Sequence, residues 1–273
     1  MKLFDKAEGP GSPTKPSEDR LGSSGNLFWV IDGASDFSDE STLPGKSNVH
    51  WLVDYVQEKL QSYGKEGTCD GSESLFKRLH HDARREIEKY DTSIMKNHPC
   101  CSIGVAITLE KEIELSRVGD ATLVAYLNDE SFVEMCTPFF DQREENAVRE
   151  SLFNHYSRDE IMERIFERRL EYIKGVHTES VFSGHPQAKL KVHSKKIPLD
   201  RVSAVLACTD GFSRAVNDYG IYSGWNDLSK SLQSDGLDQV VQNIRRHEIH
   251  LAEQKDRPKK FKKSDDVAVI LMK

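Results

Sequence analysis

Three short apolar runs punctuate the chain, and each has an acid at one end. Leu27–Gly33 reads LFWVIDG and 202–211 reads VSAVLACTDG, both closing on an aspartate and a glycine. The run at 264–272, SDDVAVILM, has its acids first and its apolar residues after. Short runs rich in β-branched residues predict buried strands. If the third runs antiparallel to the other two, Asp32, Asp210 and Asp265 arrive at the same edge of one sheet. Residues 103–109 are apolar, Glu112–Val118 alternates as EIELSRV, and Thr122–Leu127 is a further run. Together they predict an antiparallel meander with turns at 110–112 and at Gly119-Asp120. Asp120 there is either turn chemistry or part of a site. The alternation AKLKVH at 188–193 predicts an edge strand with Lys189 and Lys191 outward.

Elsewhere the period is helical. Ser47 is a plausible N-cap for a helix carrying Leu52, Val56 and Leu60 on one stripe. A second helix over 72–90 aligns Leu75, Leu79, Ala83 and Ile87. Residues 142–174 are charged and helical, and Ser157-x-x-Glu160 forms a capping box ahead of Ile161, Ile165, Leu170 and Ile173. Further helices are predicted near 225–232 and over 237–251, the latter with Val240, Val241 and Ile244. The Gly-, Pro- and Ser-rich stretch 8–25 predicts a loop, and within it lies Ser17-Glu18-Asp19-Arg20. Strands and helices do not alternate as βαβ units. That favours an α+β layered sandwich built on antiparallel sheets.

A length of 273 residues, 37% of them hydrophobic, suits one large globular domain or two small ones, and a single domain over 1–273 is expected. No stretch of about 18 apolar residues is present, so no membrane span is expected. The N-terminal residues show no secretory h-region or cleavage site, so a cytoplasmic location is expected. A net charge of −7 with scattered bases argues against a nucleic-acid partner. Five cysteines without framework or zinc spacing read as reduced thiols. His80 and His81 are assigned no role. The basic run 256–263, DRPKKFKK, is expected to form a surface loop next to Asp265, with charge suited to drawing anions. A monomer is expected.

Three carboxylates share one space at neutral pH only if something cationic offsets their repulsion. Oxygen ligands with no nearby His or Cys select Mg²⁺ or Mn²⁺ over zinc. Such an ion lowers the pKa of a bound water toward neutrality. Gly33 and Gly211 are expected to let the backbone bend and approach an ion, so that a carbonyl can serve as a ligand.

Four blocks in order, SEDR at 17–20, VIDGAS at 30–35, VGDATLV at 118–124 and CTDGFS at 208–213, closed by 264–272, resemble the metal-dependent (type 2C) serine/threonine protein phosphatases. The resemblance spans essentially the whole chain, and the combination is far more specific than any Asp-Gly pair alone. It implies a four-layer α/β/β/α sandwich, two antiparallel β-sheets flanked by helices. It implies hydrolysis of phosphoserine and phosphothreonine in phosphoprotein substrates by a metal-bridging water, with two Mg²⁺ or Mn²⁺ ions and a third possible. On that pattern Asp32 bridges two ions and the carbonyl of Gly33 completes the second site. Asp210 and Asp265 hold the first ion, Asp265 being preferred to Asp266. Glu18 and Asp19 act on the second ion, and Asp120 serves a third. Asp32 and Asp210 are then the catalytic pair, acting through water. The chain departs from the pattern in two places. Position 14 is Thr where many members have an arginine that grips phosphate, which leaves Lys15 or Arg20 for that task. Ala34 stands where some members carry a histidine acid. These departures motivate an alternative, a catalytically weak or inactive module that binds a regulatory partner. The segment 137–186 is where substrate-selecting flaps are expected. An aspartyl-phosphate mechanism at Asp32 would need a second acid at 34, where Ala stands.

Overall fold

Strand β3 (Leu27–Gly33) is buried along almost its whole length, and its side chains part to two different cores. Leu27, Trp29 and Ile31 join Val49, Leu52, Val53, Val56 and Leu60 of helix α1 (Asn48–Glu66). Phe28 and Val30 turn the other way, onto Ala125, Val205, Ala207, Ala268 and Ile270. A strand covered on both faces reads as one unbroken apolar run, which is why the sequence shows no alternation there. Removing Trp29 by substitution to Ala would cost about 3–5 kcal/mol.

The structure is a computed structural model, and it describes residues 1–36, 41–67, 69–90, 98–154, 156–253 and 264–273. The chain opens with β1 (Leu3–Gly9) and β2 (Arg20–Ser24), and after β3 and α1 comes α2 (Ser72–Ile87). Strands β4 (Cys101–Thr108), β5 (Glu112–Val118), β6 (Thr122–Leu127) and β7 (Phe132–Met135) follow. Helices α3 (Phe139–Asn154) and α4 (Arg158–Ile173) occupy the charged segment. Then come β8 (His193–Pro198), β9 (Val202–Cys208), α5 (Asp210–Asn217), α6 (Trp225–Ser234), α7 (Gly236–Glu253) and β10 (Val267–Met272).

The strands form two five-stranded sheets, ordered β1-β10-β9-β6-β7 and β2-β3-β4-β5-β8, and every neighbouring pair is antiparallel. Helices α1 and α2 cover the outer face of the second sheet. Helices α5, α6 and α7 cover the outer face of the first through Phe212, Trp225, Leu228, Val240 and Ile244. The result is the four-layer α/β/β/α sandwich expected from the sequence.

Several local expectations need correction. The three acid-tipped strands do not share a sheet: β3 lies in one, β9 and β10 in the other. Only β9 and β10 are antiparallel partners. Gly119-Asp120 is no hairpin turn either. It carries the chain from β5 in one sheet to β6 in the other, with Gly119 at φ 86°, in the left-handed region glycine tolerates. The stretch 8–25 is a loop only between Gly9 and Arg20, because β1 and β2 occupy its ends. The edge strand begins at His193, where Arg117 of β5 pairs with it, so only the last residue of the predicted 188–193 belongs to it. Ser47 caps α1 by accepting from His50 N, and the capping box of Ser157 with Glu160 is formed. The basic run 256–263 lies outside the described residues.

Candidate metal centre

The two sheets bring their acids to one end of the sandwich. Asp32 closes β3, and its Oδ2 faces the backbone N–H of Asp210 at 3.5 Å. That contact joins one sheet to the other. Asp210 stands not at a strand end but as the first residue of α5, just past β9. Asp265 lies one residue before Asp266 at the entry to β10. Burial first, and then the charges of Asp19, Asp210, Asp120 and Asp265, push the Asp32 carboxyl well above the usual carboxylate range. Burial likewise raises Asp19; a hydrogen bond from Thr209 offsets part of this, and Asp210, Asp266 and Asp265 add to the rise. Asp19 is buried, and its Oδ2 has no hydrogen-bond partner.

The loop that carries Glu18 and Asp19 is held from several sides. Asp266 Oδ1 accepts from Gly11 N at 2.7 Å and its Oδ2 from Glu18 N at 2.6 Å. The Glu18 carboxylate accepts from Ser35 Oγ at 2.5 Å. Arg20 donates to the carbonyls of Ser17 and Asp19 at 2.8 and 2.7 Å and pairs with Asp54. Its guanidinium therefore shapes the loop as the structure stands. Lys15 is exposed. Gly33 is in extended strand, and its lack of a side chain serves close approach: a Cβ there would lie 2.6 Å from the Glu18 carbonyl oxygen. The bend expected at Gly33 is thus absent, and tight contact replaces it. Gly211 is similar, since a Cβ would collide with the Asp266 carbonyl.

Asp120 Oδ1 accepts from Ser102 Oγ at 2.5 Å, and the same hydroxyl accepts from Asp120 N. Arg117 donates to the Gly119 carbonyl and forms a buried two-pronged pair with Glu179, which fixes this crossing. Helix α4 reaches the site through Arg169, whose Nη2 donates to the Ser35 carbonyl at 3.0 Å.

Two participants went unread in the sequence. One is Thr209, the partner of Asp19. The other is Arg214, whose Nη2 binds Asp210 Oδ2 while its Nη1 lies 3.2 Å from Asp265 Oδ2. The signal for Arg214 was its place one helical turn after Asp210, visible only once a helix is recognised at 210–217.

Residues 13–246 match the family model described as protein phosphatase 2C. The chain belongs to the protein phosphatase 2C family. Family membership makes it a phosphatase of the metal-dependent serine/threonine class. No curated protein sequence matches the chain. Among solved structures it is similar to the Mycobacterium tuberculosis serine/threonine phosphatase PstP/Ppp, with TM-score 0.58 and 12% identity over 98% of this chain and 96% of that one. It is also similar to the Staphylococcus aureus serine/threonine phosphatase Stp1, with TM-score 0.57 and 16% identity over 99% and 94% of the two chains. A third likeness is to the catalytic domain of PstP in complex with two manganese ions, with TM-score 0.54 and 13% identity over 98% and 95%. These likenesses show the fold.

The residues fit a hard cation. The donors are all oxygens, four acids raise the pKa of Asp32 together with its burial, and Asp19 Oδ2 is an orphaned buried acceptor. Among the described residues, however, no group of three or more His, Cys, Asp or Glu side chains is arranged as a ready-made cage. Each of several acids has a partner of its own: Ser35 holds Glu18, Ser102 holds Asp120, and Arg214 holds Asp210 and Asp265.

Proposed function

We propose that this chain hydrolyses phosphoserine and phosphothreonine esters of proteins with Mg²⁺ or Mn²⁺, most simply two ions. The convergence of Asp19, Asp32 and Asp210 from both sheets supports this reading above any other observation. Asp32 would hold both ions, with the Gly33 carbonyl and the Glu18–Asp19 pair on one side and Asp210 and Asp265 on the other. Asp120 would serve a third, weaker position. When bound, divalent ions there supply Lewis-acid charge for the phosphoryl oxygens and a water of lowered pKa. The chain's own residues prepare the ground for that chemistry. Asp266 draws the N-terminal loop over the site by two backbone N–H groups, and so spends its own oxygens on structure. That division of labour supports Asp265, not Asp266, as the ligand. Thr209 orients Asp19 by its hydroxyl. Arg20 keeps the loop closed, which leaves exposed Lys15 as the candidate to meet the phosphate. Helices α3 and α4 supply the substrate-facing segment, tied to the site through Arg169.

The further expectations belong to the same proposal: a cytoplasmic monomer acting on phosphoproteins, with no nucleic acid involved. A net charge of −7 supports the last of these, and no described helix is long and apolar enough to cross a membrane. The test is hydrolysis of a phosphothreonine peptide with excess Mn²⁺ or Mg²⁺. Turnover should vanish with EDTA, return with metal, and fall by roughly 100-fold or more in Asp32→Asn. Metal-independent turnover, or none at all on any phosphoester, would overturn the reading.

A further inference from the structure

The side chain of Arg214 lies in the midst of the acids, with 14% of its surface exposed, against 13% for Asp265 and 25% for Asp210. One prong of the guanidinium takes Asp210 Oδ2, the other Asp265 Oδ2, and Asp218 Oδ2 lies 3.9 Å from Nε. An arginine guanidinium stays cationic at any working pH. The planar fork matches two carboxylate oxygens at once, which an ammonium cannot do. Solvent screens a pair this deep only weakly, and either partner left alone would be a costly buried charge. Arg214 springs from the same short helix as Asp210, one turn on, so it cannot diffuse away. On the other side of the cluster, among the described residues, Asp19 Oδ2 has no hydrogen-bond partner.

We propose that Arg214 is a built-in counter-ion which competes with a divalent ion for the Asp210–Asp265 carboxylate pair, so that this half of the centre fills at higher metal concentration than the Asp19–Asp32 half. The proposal rests on the reading that these acids bind divalent ions. Its chemistry is an exchange of cations on the same oxygens, in which the guanidinium hydrogen bonds give way to metal–oxygen coordination and no covalent bond changes. In the metal-free protein the guanidinium takes over part of the neutralising task. A metal ion arriving there must first displace a tethered arginine.

Calorimetric titration of the EDTA-stripped, desalted full chain with Mn²⁺ tests this. The wild type should show one tighter and one weaker phase. In Arg214→Gln, which keeps much of the side chain's bulk and removes its charge, the weaker phase should tighten by about tenfold or more. Arg214→Lys keeps the charge and so guards against loss of fold, while losing the fork; its weaker phase should tighten by about threefold or more. If both variants bind the same number of Mn²⁺ ions with dissociation constants unchanged from wild type, the proposal is overturned. Should Gln fail to fold, the Lys arm alone decides in the same terms. Phosphatase turnover is read separately. Altered Mn²⁺ uptake without turnover sinks the proposed function and keeps the counter-ion, whereas turnover with unaltered uptake does the reverse.

Discussion

Asp265 and Asp266 are chain neighbours with opposite tasks. Asp266 accepts two backbone N–H groups from the N-terminal loop, while Asp265 faces the guanidinium of Arg214. The same distinction between a carboxylate that is satisfied and one that is crowded governs stability. Asp32 is crowded: its folded pKa is raised, so its ionisation works against folding, and the penalty grows as pH rises through that folded value. Asp32→Asn should therefore melt higher than wild type at pH 7 in EDTA, by roughly 2–4 °C for each kcal/mol relieved. Differential scanning calorimetry reads this, and a lower melting temperature would contradict it. His98 works with the opposite sign. Burial, aided by His185, pulls its pKa from 6.5 to about 4, so the unfolded chain takes up the proton first as the solution is acidified. The neutral ring's contribution is complete above pH 6.5 and is lost as pH falls toward 4. Because the ring is part-exposed, the effect after screening is on the order of 1 kcal/mol. Urea titrations across that window should show a shallower acid loss in His98→Gln than in wild type.

At the scale of elements, Gly211 is where α5 and the entry to β10 touch, with the Asp266 carbonyl lying where a Cβ would stand. Gly211→Ala has to push α5 and the Asp265–Asp266 turn apart. Turnover should fall by roughly 100-fold while far-ultraviolet circular dichroism changes little. The elements themselves were unequally legible in the sequence. Strands β3, β9 and β10 announce themselves because both faces are buried, and α1, α2 and α7 because a single stripe is. Strand β1 is a mostly exposed edge carrying Asp5, Lys6 and Glu8, β2 is the short and polar RLGSS, and β7 is four residues long, so none has a run to notice. Helix α5 was hidden by Asp210-Gly211, which looks like a turn, and Arg214 was hidden with it. The sequence marked Asp32, Asp210 and Asp265 as acids at the ends of apolar runs, although Asp210 opens α5. Which sheet each run belongs to was not legible, because strand pairing between distant segments leaves no local trace: β3 pairs with β2 and β4, and β10 with β1 and β9.

At the scale of the molecule, the anionic cluster is divided between two sheets that pack through side chains such as Phe28, Val30, Ala207 and Ile270. Mild urea should quench metal-dependent turnover before circular dichroism registers any melting, because ladders within a sheet outlast the fit between sheets. Coincident transitions would show the two layers to be a single cooperative unit. The split also has an evolutionary consequence. A substitution along that seam, at Val30 or Ala207 for example, can shift one leaf against the other and so alter the spacing of Asp32 from Asp210 without replacing either.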